Sequence, residues 1–119
     1  MLELVLQIEL DKKQRRILDD FIKKLEENGF EYLEIRMGGY VSETIPLYCE
    51  NGIFHFLYES INGIEKLPIN VKCKQNGRIS GAIIKLVNKR DLVHELIHAL
   101  DYAKGIDENH LLVYLKEYI

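Results

Sequence analysis

The sequence predicts an α+β fold: a mostly antiparallel sheet with an early helix and a C-terminal helical hairpin. Three observations support this class. Residues 2–10 alternate apolar and polar, the period of a half-buried strand, and two Asn-Gly pairs lie between β-prone runs in the middle of the chain. From Asn88 onward the apolar period becomes helical. A chain of 119 residues fits one core, so we expect a single minimal domain over residues 1–119.

The early helix follows the first strand directly. Asp11 is typical of an N-cap, the apolar residues after it recur at helical spacing, and Gly29 indicates the end of the helix. Residues 31–37 alternate again. The sequence therefore predicts strand, helix and strand in the first third of the chain.

The middle of the chain predicts hairpins. Asn51-Gly52 is a strong two-residue turn signal, and Asn76-Gly77 repeats the arrangement before the run "GRISGAIIKLV". The two cysteines, Cys49 and Cys73, lack the CxxC spacing of metal sites. A pairing of the two stays open, but we expect two buried free thiols.

The C-terminal region predicts two helices. The first should run from about Lys89 to Lys104, with Asn88 as its cap and Gly105 at its C-terminal turn. A second short helix fits residues 107–119. If it packs back against the first, the pair forms the helical hairpin.

Charge and hydropathy exclude some classes of partner. The net charge is −3, the pI is about 5.8, and the basic residues are scattered, so nothing favours nucleic acid. No apolar stretch approaches the roughly 20 residues that span a bilayer, and the first residues lack a basic leader. We expect a soluble, cytoplasmic protein without a membrane partner.

The stretch "LVHELIHALD", residues 92–101, carries the chemistry. At about 100° per residue, His94, His98 and Asp101 share one narrow stripe of the helix, and Glu95 lies at its flank. Two imidazoles one turn apart can hold one zinc ion and leave room for water. The carboxylate of Glu95 can then act on that water as a general base. The competing interpretation is a solvated helix face that binds no metal.

A third zinc ligand must come from another position. If the last helix packs back antiparallel, residues 110–117 come near the metal, and Glu117 is the first candidate. The alternatives are His110, Asp101 and Glu108. Asp101 is better placed to accept a hydrogen bond from an imidazole and so fix its tautomer. Candidate donors to a transition-state oxyanion are Tyr102, Tyr114 and His110.

The motif "HELIHALD" resembles the active-site helix of HExxH zinc metallopeptidases of the gluzincin type. It is also similar to the same helix in the mitochondrial peptidases that assist ATP synthase assembly, and the chain length resembles the small soluble minigluzincins. The resemblance implies Zn²⁺ as cofactor. It also implies that His94 and His98 are ligands, that Glu95 is the general base, and that Glu117 is the metal-binding glutamate.

The same resemblance implies a function. We expect an endopeptidase acting on a peptide or protein, in an active form or in a latent, self-inhibited one. In such enzymes the strand before the active-site helix commonly offers the sheet edge along which substrate lies, and "GRISGAIIKLV" is the candidate. The alternative function is a zinc-binding regulatory or interaction domain without turnover. A short chain with shallow pockets also makes self-association plausible.

Overall fold

The structure, a computed structural model, describes residues 1–106; residues 107–119 lie outside the described part of the chain. The strands are β1 (Glu3–Leu6), β2 (Tyr32–Met37), β3 (Glu43–Glu50), β4 (Ile53–Ser60), β5 (Gly63–Lys72) and β6 (Arg78–Leu86). The helices are α1 (Lys12–Glu27) and α2 (Leu92–Lys104), with a 3₁₀ turn at Lys89–Asp91 before α2. Neither described helix is long and apolar enough to cross a membrane.

All six strands form one sheet in the order β1-β2-β6-β3-β4-β5. Strands β1, β2 and β6 run parallel to one another, whereas β3, β4 and β5 add to the other side of β6 in antiparallel pairs. Helix α1 makes the crossover between the parallel strands β1 and β2, as parallel pairing requires. Strand β6 therefore lies in the middle of the sheet, and the chain enters α2 directly from the core.

The prediction for α1 is confirmed. The Asp11 carboxylate accepts a hydrogen bond from the backbone N–H of Gln14 at 2.7 Å, and the Gln14 side chain accepts one from the Asp11 N–H at 3.2 Å. This reciprocal capping box satisfies two donors that the first turn leaves unpaired. Leu18 and Leu25, seven residues apart on one face, are fully buried.

The main core lies between the sheet and the two helices, on one face. It contains Leu18 and Leu25 of α1, Leu92, Leu96 and Ala99 of α2, and alternate residues of the strands. The opposite face carries a smaller apolar cluster without any helical residue: Tyr32, Leu47, Cys49, Phe54, Cys73 and Ile83. Neighbours such as Ile83 and Ile84 belong to different clusters because side chains alternate across a strand.

The predicted architecture was wrong in two respects. The sheet is mixed rather than mostly antiparallel, because β6 lies between β2, with which it pairs in parallel, and β3, with which it pairs antiparallel, and does not pair with β5. The described chain ends on the single helix α2, not on a helical hairpin. The second helix of that prediction falls on residues 107–119, outside the described residues.

One of the two predicted hairpins is confirmed. Asn51 and Gly52, with φ of 54° and 79°, turn β3 into β4. The second prediction was wrong, since the strands on either side of Asn76-Gly77 do not pair. Strand β5 is at the edge of the sheet, beside β4, and β6 lies between β2 and β3. The hairpin partner of β5 is instead β4, through the turn at Ser60–Gly63.

The cysteines are joined rather than free, which corrects the sequence-based expectation. Cys49 of β3 and Cys73, just after β5, form a disulfide with a Cα–Cα distance of 5.9 Å. Strand β4 separates their two strands in the sheet. The chain reaches across because, beyond β5, the N–H of Cys73 binds the carbonyl of Gly52 at 2.9 Å and so brings Cys73 back over the β3–β4 turn.

Candidate metal centre

Helix α2 begins and ends with local signals that the sequence contains. The Asn88 side chain accepts a hydrogen bond from the Arg90 N–H at 3.0 Å and caps the 3₁₀ turn that leads into the helix. Gly105 has φ of 79° and closes the C-terminal end, where its N–H and that of Ile106 bind carbonyls of the last turn. The predicted C-terminal glycine is therefore confirmed, whereas Asn88 caps the 3₁₀ turn and α2 itself begins at Leu92, three residues later than predicted. The histidines lie in a regular helix.

The two faces of α2 differ in character. One face packs into the core through Leu92, Leu96, Ala99 and Ala103, while the other is exposed. His94 lies on the exposed face, and its side chain is 73% accessible. His98 is half-buried at the border between the faces, one turn further along.

The structure brings the two imidazoles together. Their Nε2 atoms lie 3.1 Å apart, and the rings meet edge to face with centroids 4.7 Å apart. In this arrangement one Nε2–H can donate to the other nitrogen. The two Nε2 atoms therefore lie close together beside α2.

Glu95 is buried next to this pair. Its side chain is only 5% accessible, and its Oε2 lies 3.9 Å from Nε2 of His94. Its other carboxylate oxygen, Oε1, lies 2.9 Å from the hydroxyl of Thr44 on β3. Ligand atoms of His94, Glu95 and His98 all lie within 4.8 Å of one another, which makes these residues a possible metal-holding group.

The separation of the two nitrogens fits a shared metal ion. Two ligands about 2.0–2.1 Å from a tetrahedral zinc are separated by roughly 3.3–3.4 Å. The observed 3.1 Å between the Nε2 atoms differs from that value by only a few tenths of an ångström, within the reach of small rotations about the side-chain bonds. The distance between the two nitrogens is therefore compatible with a shared zinc ion.

A second contact fixes the start of α2 against the sheet. Ser42, just before β3, donates a hydrogen bond to Oδ2 of Asp91 at 2.6 Å, and its hydroxyl accepts one from the N–H of Val87 at 2.9 Å. Asp91 lies one turn before Glu95. The segment that enters β3 thus contacts α2 at two successive turns, through Ser42 and Thr44.

The other predicted site residues are not all brought to this cluster. Among residues 1–106, no hydrogen bond joins the Asp101 carboxylate to either imidazole, so its supporting role stays a prediction. Tyr102 is buried, 6% exposed, toward the core side of α2. The remaining candidates, Glu108, His110, Tyr114 and Glu117, lie outside the described residues.

Sequence reasoning missed Ser42 and Thr44. Their signal in the sequence is slight: two hydroxyl residues with one residue between them, which places them on one face of the strand that follows. Nothing local identifies the partner of either hydroxyl, because each pairs with a residue about 50 positions away. Only the antiparallel pairing of β3 with β6 brings them to α2.

The chain matches no protein-family model, no curated protein and no solved structure at a significant level. The likeness to zinc metallopeptidases therefore depends on the motif of α2 and on the geometry of its side chains.

Proposed function

We propose that this protein is a zinc-dependent peptidase in which His94 and His98 hold the metal and Glu95 is the general base. The observation that carries the proposal is the 3.1 Å separation of the two Nε2 atoms beside the buried Glu95 carboxylate. Bound zinc would supply a water that ionises near neutral pH. The exposed His94 imidazole leaves the site open to solvent on one side.

The residues of the chain have distinct roles in this proposal. The imidazoles bind the metal as neutral ligands, so acid should weaken binding by protonating them. Glu95 is held in the wall of the site with Oε2 on the side of the imidazole pair, where it can accept a proton from water. The same carboxylic acid can then return that proton to the leaving amine of a cleaved peptide.

We assign the third ligand to Glu117, with His110 as the alternative. Within residues 1–106 the metal-holding group contains three residues, and Glu95 is taken as the base. A catalytic zinc site usually has three protein ligands and one open position. The resemblance of α2 to gluzincins favours a glutamate from later in the chain.

Zinc content and hydrolysis together test this function. The full chain is refolded with zinc, dialysed and analysed for metal, and it is then assayed against a diverse peptide mixture by mass spectrometry. We expect about one equivalent of zinc and cleavage that Glu95→Gln abolishes, since the amide keeps the shape but not the base. Less than a tenth of an equivalent of zinc would contradict both the metal site and the peptidase.

A second function, a zinc-binding regulatory or interaction domain without turnover, has one observation in its favour. The strand before α2 was expected to be the edge that receives substrate, and this was wrong, because β6 is paired on both sides by β2 and β3. No free strand edge adjoins α2 within residues 1–106, since the edges of the sheet are β1 and β5. If the protein binds zinc but neither the wild type nor Glu95→Gln hydrolyses peptides, the result favours the zinc-binding domain without turnover.

A further inference from the structure

We infer that Thr44 is a positioning residue that orients the Glu95 carboxylate, so that Oε1 is held by the sheet and Oε2 alone is left for the water. This inference rests on the proposed function and adds a residue that the HExxH motif does not contain. It follows from the contacts between β3 and α2.

The Thr44 hydroxyl has two acceptors within reach, both on Glu95. Its Oγ1 lies 2.9 Å from Oε1 and 3.0 Å from the backbone carbonyl oxygen. Because the hydroxyl has one proton, it donates to one of them at a time. The bond to the carboxylate is the stronger choice, since an ionised acceptor roughly doubles the strength of a hydrogen bond.

Burial makes this bond important for the carboxylate. Glu95 is 4% exposed, and Ser80 is the other polar side chain among the buried residues of the described chain. A buried carboxylate without partners is costly, and water reaches Glu95 poorly from the core side. Thr44 satisfies Oε1 on that side, while Oε2 faces His94 at 3.9 Å.

The match between strand and helix spacing explains why Thr44 is in place. Ser42 and Thr44 are two residues apart along an extended segment, about 6.6–6.8 Å. Asp91 and Glu95 are four residues apart along the helical segment, about 6 Å. The Ser42–Asp91 bond at 2.6 Å therefore sets the register that brings Thr44 level with Glu95.

The orientation matters for the proposed chemistry because a carboxylate has two equivalent oxygens. If both were free, the group would rotate and its basic oxygen would spend time away from the water. With Oε1 bound, the carboxylate plane is fixed and one oxygen is presented. A precisely held base accelerates the proton transfer without changing how tightly the substrate or the metal binds.

Thr44→Val tests this role, and Thr44→Ser is its matched control. Valine has nearly the shape of threonine but lacks the hydroxyl, whereas serine keeps the hydroxyl and lacks only the methyl group. For each variant we would measure the zinc Kd with a chelating dye, kcat and KM on a cleaved peptide, and the Glu95 conformation in crystals without metal. In Thr44→Val we expect a kcat lower by about tenfold or more, with KM and zinc Kd within about twofold. The Thr44→Ser variant should keep most of the wild-type kcat.

The outcomes separate this inference from the proposed function. In crystals of Thr44→Val we expect the Glu95 carboxylate to rotate away from its wild-type position. A carboxylate that stays in place, or a kcat that does not change, overturns the inference. If the wild type hydrolyses no peptide, the proposed peptidase function fails. The crystal structures of the variants still test whether Thr44 positions Glu95. A displaced Glu95 then supports positioning by Thr44, whereas an undisturbed one refutes it.

Discussion

Ser42 and Asp91, 49 residues apart in the chain, are joined by a hydrogen bond of 2.6 Å between Oγ and Oδ2. The same hydroxyl accepts the N–H of Val87. One side chain therefore links the entry of β3 to the exit of β6 and to the start of α2. The position of the whole histidine-bearing helix depends on contacts of this kind.

Ser42→Ala should destabilise the fold by about 1–2 kcal/mol, because it removes a hydrogen bond to a carboxylate and leaves the Val87 N–H without its acceptor. Urea unfolding measures the change. Glu43→Ala is the control, since Glu43 is exposed and adjacent. Equal midpoints for the two variants would show that the Ser42 bond contributes nothing to stability.

Zinc should stabilise the wild type and not His98→Ala. At a free zinc concentration of 100 times Kd, binding adds about 2.7 kcal/mol to the free energy of unfolding, a rise in Tm of roughly 10 °C. His55→Ala is the matched control, because His55 lies on β4 and is half-buried outside the cluster. Thermal melts in the presence of zinc and in the presence of EDTA measure the change in Tm for the wild type and for each variant. A zinc effect retained by His98→Ala but lost in His55→Ala would contradict the site.

Glu117→Ala should weaken zinc binding by at least about tenfold if Glu117 is a ligand, as expected for the loss of a ligand or its support. His110→Ala should leave the affinity within about twofold. Competition with a chelating dye measures the Kd. The exposed Glu59 provides a control for removing one negative charge. An effect confined to His110→Ala would move the assignment to that residue.

Gly29→Ala should cost more stability than Gly105→Ala. Both glycines follow a helix and have similar φ, 87° and 79°, so a side chain is strained by a comparable amount in each. At Gly29 a Cβ would meet Nη1 of Arg78 at 2.7 Å, whereas at Gly105 nothing in the described chain lies within 4 Å. We expect a difference of about 1 kcal/mol or more in urea unfolding.

The physical reason lies in the contacts of Arg78. Its guanidinium donates to the carbonyl of Asn28 at 2.8 Å and to Gln75 at 3.1 Å, and an alanine at position 29 would displace it from the C-terminal end of α1. Replacing Arg78 with Ala should therefore remove most of the difference between the two glycine variants. A difference that persists would show that Arg78 is not its cause.

Reduction of the Cys49–Cys73 disulfide should lower the free energy of unfolding by about 3–4 kcal/mol. The cross-link joins residues 24 apart, and the chain-entropy model gives this value for a loop of about that length. Urea unfolding with and without a reductant measures it, and the double variant Cys49→Ser, Cys73→Ser is the control that should not respond. If the reductant left the free energy of unfolding of the wild type unchanged, the two cysteines would be free thiols.

Local signals predicted the elements whose evidence lies within one turn of chain. Asp11 caps the start of α1, Asn51-Gly52 turns β3 into β4, and Gly105 ends α2, all as the sequence indicated. The proximity of His94 and His98 was also predictable, because residues four apart in a helix lie on one face. These features depend on dihedral preferences and periodicity, which neighbouring residues determine.

The tertiary structure alone decided the rest. Asn76-Gly77 resembles a hairpin turn as strongly as Asn51-Gly52, yet β6 leaves β5 and inserts between β2 and β3. Its long apolar run is buried on both faces there, a gain in burial that no local pattern expresses. That insertion makes the sheet mixed, removes the expected substrate edge and brings Thr44 to Glu95. The sequence determined which side chains α2 displays; the order of the strands, set by burial over the whole chain, determined what those side chains face.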